Sequence, residues 1–166
     1  MPILCQYVGN RFVDSLNPCG PHGGRGTDAE FFRRCSLDLI GCIPNRDEVP
    51  AFLTDTFANK RAQAVERMLE SADFNRFFAN VLDVMLMERR RGNRVSTDQW
   101  REYLVGSLAT RKSYDQIARE ILSADGTGQH REAAKFYLDR DVEAHVLTRD
   151  VGRMFLGRDL QCAQCG

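Results

Sequence analysis

The sequence predicts an all-α protein, an irregular bundle of about seven or eight short helices behind a flexible N-terminal segment. Three observations carry this. Capping signals of the Ser/Thr-x-x-Glu/Gln kind recur along the chain. Apolar residues follow each of them at helical spacing. No stretch alternates apolar and polar residues long enough for a strand, and no fixed period marks a solenoid.

Residues 1–26 stand outside this grammar. "NPCGPHGGRG" is too dense in glycine and proline for a helix or a central strand, and the segment reads as an irregular lead-in. At Thr27 the pattern changes. "TDAE" is a capping box, and the helix it opens carries Phe31, Cys35 and Leu39 on one face, with Phe32 and Ile43 flanking, until Gly41 stops it. Arg34 and Asp38 are spaced to pair on its outside. Asn45 and Glu48 cap a second short helix with Val49, Phe52 and Leu53 as its stripe, and Pro50 sits near the first turn, where its missing N–H costs least. "NKRAQAVERMLES" is a third helix, with Ala62, Val65, Met68 and Leu69 inward. Ser71 caps the fourth, whose face of Phe74, Phe77, Phe78, Val81, Leu82, Met85 and Leu86 makes it the expected centre of the core.

The pattern breaks at Gly92 and resumes with two further capping boxes. Ser96 and Gln99 open a helix that turns Trp100, Tyr103, Leu104 and Leu108 inward; Ser113 and Gln116 open "IAREILSA". "HREAAKFYLDR" is a weaker helix. "DVEAHVLTRDVGRMFLG" is a long last one, with Val142, His145, Val146, Val151, Met154 and Phe155 as its apolar side and Gly157 as its end.

The 166 residues suit one domain with a sizeable core. Lysine plus arginine and aspartate plus glutamate are 23 each, so the net charge is zero and gives no electrostatic reason for a nucleic-acid or anionic-membrane partner. No apolar run approaches a membrane span, and the N-terminus lacks the basic start and apolar stretch of a signal peptide. "ERRRGNR" over Glu88–Arg94 is a local basic cluster able to grip a phosphate or an acidic partner; a solvated loop at a helix C-terminus is the commoner role. No Ser-His-Asp order, phosphate loop, H-E-x-x-H or paired-carboxylate motif singles out a catalytic residue.

Chemistry concentrates in the six cysteines, Cys5, Cys19, Cys35, Cys42, Cys162 and Cys165. The even count permits disulfides in an oxidising compartment, while Cys35 on an apolar stripe is expected to be a buried free thiol. Cys162 and Cys165 form a C-x-x-C pair in "CAQCG". With a histidine next it would attach a c-type haem; position 166 is Gly166. His130 sits in a polar linker, and His145 on or beside a core stripe, where a structural histidine is commoner than an iron ligand. Cys19 and His22 would complete a Cys₃His zinc set. A thioredoxin-like role lacks its βαβ setting. The plainest alternative is an exposed pair of thiols near the end of the chain.

Several blocks in order carry a resemblance. "EFFRRCSLDLIGCIPNRDEVPAFL", "NKRAQAVERMLESADF", "SYDQIAREILSADG" and "TRDVGRMFLGRDLQCAQC" resemble the planctomycete-type cytochrome C domain of unknown function, second type, over roughly residues 27–165. The resemblance implies a helical domain over 27–166 that stops short at its C-x-x-C(-H) motif. It also implies haem c as cofactor on Cys162 and Cys165, and a periplasmic or extracellular location beside further domains of the same polypeptide. The function it implies is haem carriage or electron transfer in the full-length protein. A non-catalytic structural or interaction module of a large extracellular protein, without cofactor, is the alternative.

Overall fold

The computed structural model describes residues 26–90 and 94–160, and over these it is helical with no strand. Eight α-helices follow one another: α1 (Asp28–Ile40), α2 (Glu48–Thr54), α3 (Lys60–Leu69), α4 (Ala72–Met87), α5 (Thr97–Ala109), α6 (Tyr114–Leu122), α7 (Lys135–Leu138) and α8 (Ala144–Leu156). A 3₁₀ segment, Gly128–Ala134, leads directly into α7. The all-α expectation holds. The chain clusters into two compact units, 1–78 and 79–166, with the division inside α4.

The first unit is built on α1, which packs against α2 and α3. Its entry follows the capping signal: the Glu30 amide donates to the Thr27 hydroxyl at 3.3 Å. Phe31, Phe32, Cys35 and Leu39 from α1 meet Phe52 from α2 and Ala64, Val65 and Met68 from α3 in one buried cluster. Burial of each large side chain here is worth about 1.5–3 kcal/mol. The Phe32 and Phe52 rings stack with centroids 4.4 Å apart. Asp28 ties α1 to α3, accepting from Lys60 at 2.7 Å and from Arg61 Nε at 2.8 Å. Those two hydrogen bonds hold its carboxyl below the usual range. α1 ends at Gly41 in the left-handed region, φ 73°, with its amide donating to the Leu37 carbonyl. A Cβ there would lie 2.3 Å from the Phe77 ring, so this position requires glycine for two reasons.

Three expectations about this unit are corrected. Ile43 is 69% exposed, because the left-handed turn at Gly41 carries the chain off the helix before Ile43 can continue its stripe. Leu53 is exposed as well, and α2 reaches the core through buried Phe52 with partly buried Val49 packed against the cluster. Arg34 pairs with Glu30, one turn back, instead of with Asp38. On α2 the Asn45 amide donates to the Glu48 carboxylate at 3.3 Å, so the backbone half of the expected cap is present, although the helix begins after Asp47.

α4 opens as expected, with the Phe74 amide donating to the Ser71 hydroxyl at 3.1 Å. Its broad apolar face is divided. Phe74 packs on the first core; Ala79, Leu82, Leu86 and Met87 are buried; Val81, Val84 and Met85 are exposed. The expectation that Val81 and Met85 lie in the core therefore fails.

In the second unit α5 and α6 both pack on the 3₁₀ segment. The capping boxes at Ser96–Gln99 and Ser113–Gln116 are both formed. Trp100 is fully buried and donates from Nε1 to Asp83 Oδ1 at 2.9 Å, and Leu104, Ile117, Ile121 and Phe136 are buried in the same unit. The weak helix expected over "HREAAKFYLDR" is the 3₁₀ segment followed by the four-residue α7. Ala133, Ala134, Lys135 and Phe136 are buried in succession, and a run buried on every side has no helical stripe to read.

Candidate functional site

Cys162 and Cys165, with Gly166, lie outside the described residues, as do Cys19 and His22; the described part is the base from which the C-x-x-C segment departs. That base is α8. The helix starts later than expected, because Asp141 and Val142 adopt left-handed backbone, φ 52° and 56°, and close α7 through amides donating to the Leu138 and Tyr137 carbonyls. Val142 is thus 60% exposed and no part of the α8 stripe. His145 is also exposed and faces the Glu143 carboxylate at 3.4 Å, which corrects its placement beside a core stripe. The fully buried residues of α8 are Asp150 and Gly152.

Asp150 is the anchor. Arg140, itself buried, donates from Nε to Asp150 Oδ2 at 2.7 Å, from Nη1 to the Phe136 carbonyl at 2.8 Å and from Nη2 to the Leu86 carbonyl at 2.8 Å. Its guanidinium also lies over the Phe136 ring, 3.9 Å from the centroid. One planar fork thereby joins α4, α7 and α8. Arg149 Nε donates to Asp150 Oδ1 at 2.9 Å, and Arg90 Nη2 approaches Oδ2 at 3.3 Å. Burial alone would raise the Asp150 carboxyl, but the hydrogen bonds from Arg140 and Arg149 outweigh it and hold it below the ordinary range. Burial pushes the Arg140 guanidinium the other way, down from its ordinary value. A second buried pair, Lys135 and Asp139, meets at 2.6 Å, with Lys135 also donating to the Val95 carbonyl at 2.6 Å.

Among the described residues of the basic cluster, 88–90 and 94, Glu88, Arg90 and Arg94 are engaged in ion pairs around this network. Glu88 and Arg89 take left-handed backbone at the end of α4, φ 49° and 60°, which turns Arg90 toward Asp150; Glu88 pairs with Arg153 of α8. Arg94 reaches Asp141 at 3.3 Å. Arg90 and Arg153 tie the end of α4 to α8, while the Arg94–Asp141 pair is exposed and outside the helices.

Beyond Gly157, in the left-handed region at φ 61°, the chain reverses. The Arg158 amide donates to the Gly152 carbonyl at 2.8 Å. A Cβ at Gly152 would lie 2.7 Å from Leu160 Cδ1 and 3.2 Å from the Arg158 carbonyl oxygen. The missing side chain of Gly152 is the seat on which Leu160 lies, two residues before Cys162.

Of the other thiols, Cys35 is buried and pushed up to about 12 by desolvation and then by Asp38, an inert structural thiol as expected; Cys42 is exposed. A c-type haem needs two sulfurs and an adjacent imidazole. The sequence provides the sulfurs, and the histidine whose side chain is described, His145, is exposed and turned to Glu143; His130's side chain lies outside the described residues.

Sequence reasoning missed Arg140–Asp150 and Lys135–Asp139. The spacing of Lys135 and Asp139, one turn apart around "FYL", was a legible signal for the second pair; the ten residues between Arg140 and Asp150 hid the first. Among known proteins, the family model of PSCyt2, described as a protein of unknown function (DUF1549), matches residues 22–166. No curated protein and no solved structure matches the chain.

Proposed function

Since the chain belongs to the PSCyt2 family (DUF1549), we propose that it is a non-catalytic helical module of a larger exported protein, one that carries its C-x-x-C segment from a charge-anchored last helix. The observation behind this reading is the return of the chain over Gly152, with the Arg158 amide on the Gly152 carbonyl at 2.8 Å and Leu160 seated against the helix. The buried Arg140 nearby is engaged in bonds that tie helices together, to Asp150 of α8 and the Leu86 carbonyl of α4, the arrangement a scaffold needs. Hydrogen exchange tests it. The Arg158 amide is expected to be protected in the wild-type chain. Gly152→Ala is expected to expose it and to speed tryptic cleavage after Arg158 while α8 stays helical. An Arg158 amide that exchanges at the unfolded rate in the wild type would remove the reading.

A second reading is favoured by the spacing of Cys162 and Cys165 together with the blocks that resemble the planctomycete-type cytochrome C domain. In it the carried segment attaches haem c, and the iron ligand comes from outside the described residues. The test is expression of the chain and of Gly166→His in a host with c-type haem maturation. Haem that stays with the denatured polypeptide in Gly166→His, and is lost in Cys162→Ala, is the expected result. A colourless Gly166→His protein would sink it.

A further inference from the structure

The turn between α7 and α8 holds more strain than its surroundings account for. Asp141 and Val142 follow one another in left-handed backbone, φ 52° and 56°. A β-branched residue is badly placed there, because its Cβ comes too close to the following carbonyl oxygen. Strained backbone persists where the surrounding structure over-determines it. Here the support is thin. Val142 is 60% exposed, and every residue from Asp141 to His145 is exposed. The amides of Asp141, Val142 and Glu143 donate to the Leu138, Tyr137 and Arg140 carbonyls at 3.1 to 3.2 Å. Beyond these the turn has the Asp141–Arg94 ion pair at 3.3 Å, exposed on both sides and so of small worth.

The start of α8 is poorly made as well. Glu143 is its N-cap and makes no side-chain cap bond among the described residues, and no acidic residue lies in the first turn. Two residues earlier the sequence offers a better start. Asp141 is a preferred N-cap type. With Val142 as the first helical residue, Glu143 would fall in the first turn, where the helix dipole favours a carboxylate. Local preference and the observed turn therefore disagree at these three residues, and such a conflict brings two arrangements close in energy.

The turn also borders a groove of about 300 Å³, lined through residues that include Leu122, Ala134, Tyr137, Leu138 and Val142. The left-handed backbone is what stands Val142 at its wall. We propose that the α7–α8 turn is a two-state joint that gates this groove. In the state described above, Asp141 pairs with Arg94 and Val142 walls the groove. In the other, the Asp141 carboxylate leaves Arg94 for the Ala144 amide, the helix starts at Val142, and the wall is withdrawn. Removing Arg94 therefore shifts the joint toward the second state.

The test is NMR on the full chain, by amide ¹⁵N relaxation dispersion and hydrogen exchange, with urea unfolding read from the single tryptophan, Trp100. Dispersion is expected at residues 141–146 of the wild type and not at Asp150, which Arg140 holds. Arg94→Gln is expected to raise the minor population about two- to fivefold. Val142→Gly takes the left-handed region without strain, and is expected to abolish the dispersion and raise the urea midpoint. Val142→Pro forbids positive φ and suits a first helical position. It is expected to protect the Ala144 and His145 amides, which exchange quickly in the wild type because first-turn amides have no acceptor within the helix. A wild type without dispersion at 141–146, unchanged in Arg94→Gln, would overturn the two-state joint. Dispersion reaching evenly to Asp150 would overturn it in favour of opening of the whole unit. A lower urea midpoint in Val142→Gly, as glycine gives at ordinary backbone, would remove the strain on which the joint depends. Should Val142→Pro not fold, the dispersion in Arg94→Gln and the sign of the Val142→Gly shift decide.

Discussion

The replacement of Asp150 by asparagine tests the anchor of the second unit most directly. Arg140 is only 3% exposed, and Asp150 is the carboxylate it touches, at 2.7 Å. Its other bonds go to the neutral carbonyls of Phe136 and Leu86. Asparagine keeps the shape and one acceptor oxygen but removes the counter-charge, leaving a buried cation with Arg90 nearby to repel it. Breaking a buried pair from one side costs about 3–5 kcal/mol. With a urea slope of a few kcal/mol per molar, the midpoint is expected to fall by roughly 1–2 M. Trp100 fluorescence reads this without interference, because the single tryptophan is fully buried in the same unit. The pH dependence supplies an independent sign. Asp150 is held below its ordinary carboxyl value in the fold. Its contribution is therefore complete above the unfolded value near 4 and is lost as pH falls through the folded one. The wild type and Asp150→Asn should differ most at neutral pH and converge in acid. A variant within about 1 kcal/mol of the wild type at pH 7, or a gap that persists unchanged into strong acid, would refute the anchoring argument.

Two further predictions concern the first unit. Native chain treated with iodoacetamide at pH 8 should be labelled at exposed Cys42 and not at buried Cys35, which should react only on unfolding; equal labelling rates would contradict the packing. Because burial pushes the Cys35 thiol up to about 12, its contribution to stability is complete below the ordinary thiol value and is lost as pH rises toward 12. Gly41→Ala forces a left-handed alanine and sets a Cβ 2.3 Å from the Phe77 ring. The loss should be about 2 kcal/mol or more, seen as faster amide exchange in α1, and wild-type exchange there would show that the turn tolerates a side chain.

Local signals were legible wherever a helix could be read by itself. Thr27, Ser71, Ser96 and Ser113 start helices where their side chains say they should, and Gly41 and Gly157 end them in the left-handed region that ends require. The α1 face of Phe31, Cys35 and Leu39 is buried as its spacing predicts. Legibility stopped where burial depends on partners distant in the chain. The periodicity of α4 marks Val81 and Met85 as equivalent to Leu82 and Leu86, yet the first two are exposed and the second two buried. A hydrophobic period says which residues share a face; it cannot say how much of that face is covered when two compact units divide one helix.

The same limit explains why the buried charges escaped notice, and why they matter more than the apolar stripe of α8. In sequence nothing marks Asp150 in "VLTRDVGRMF" as inward, while Val142 and His145 read as inward. The structure reverses this because Arg140 is carried inward beside Phe136 and needs a carboxylate there. Val142 is released into a left-handed turn, and Gly152, the next buried residue of α8, leaves room for Leu160. An apolar stripe tolerates exchange among residues of similar volume, with losses usually below about 1.5 kcal/mol. A fork of hydrogen bonds to one carboxylate and two carbonyls tolerates neither a change of charge nor a shift of register. The course of the chain from Gly157 to Leu160 is therefore set by the missing side chain at Gly152, on a helix that Asp150 holds to Arg140. Gly152→Ala should displace Leu160, while substitutions along the apolar face of α8 mainly alter stability.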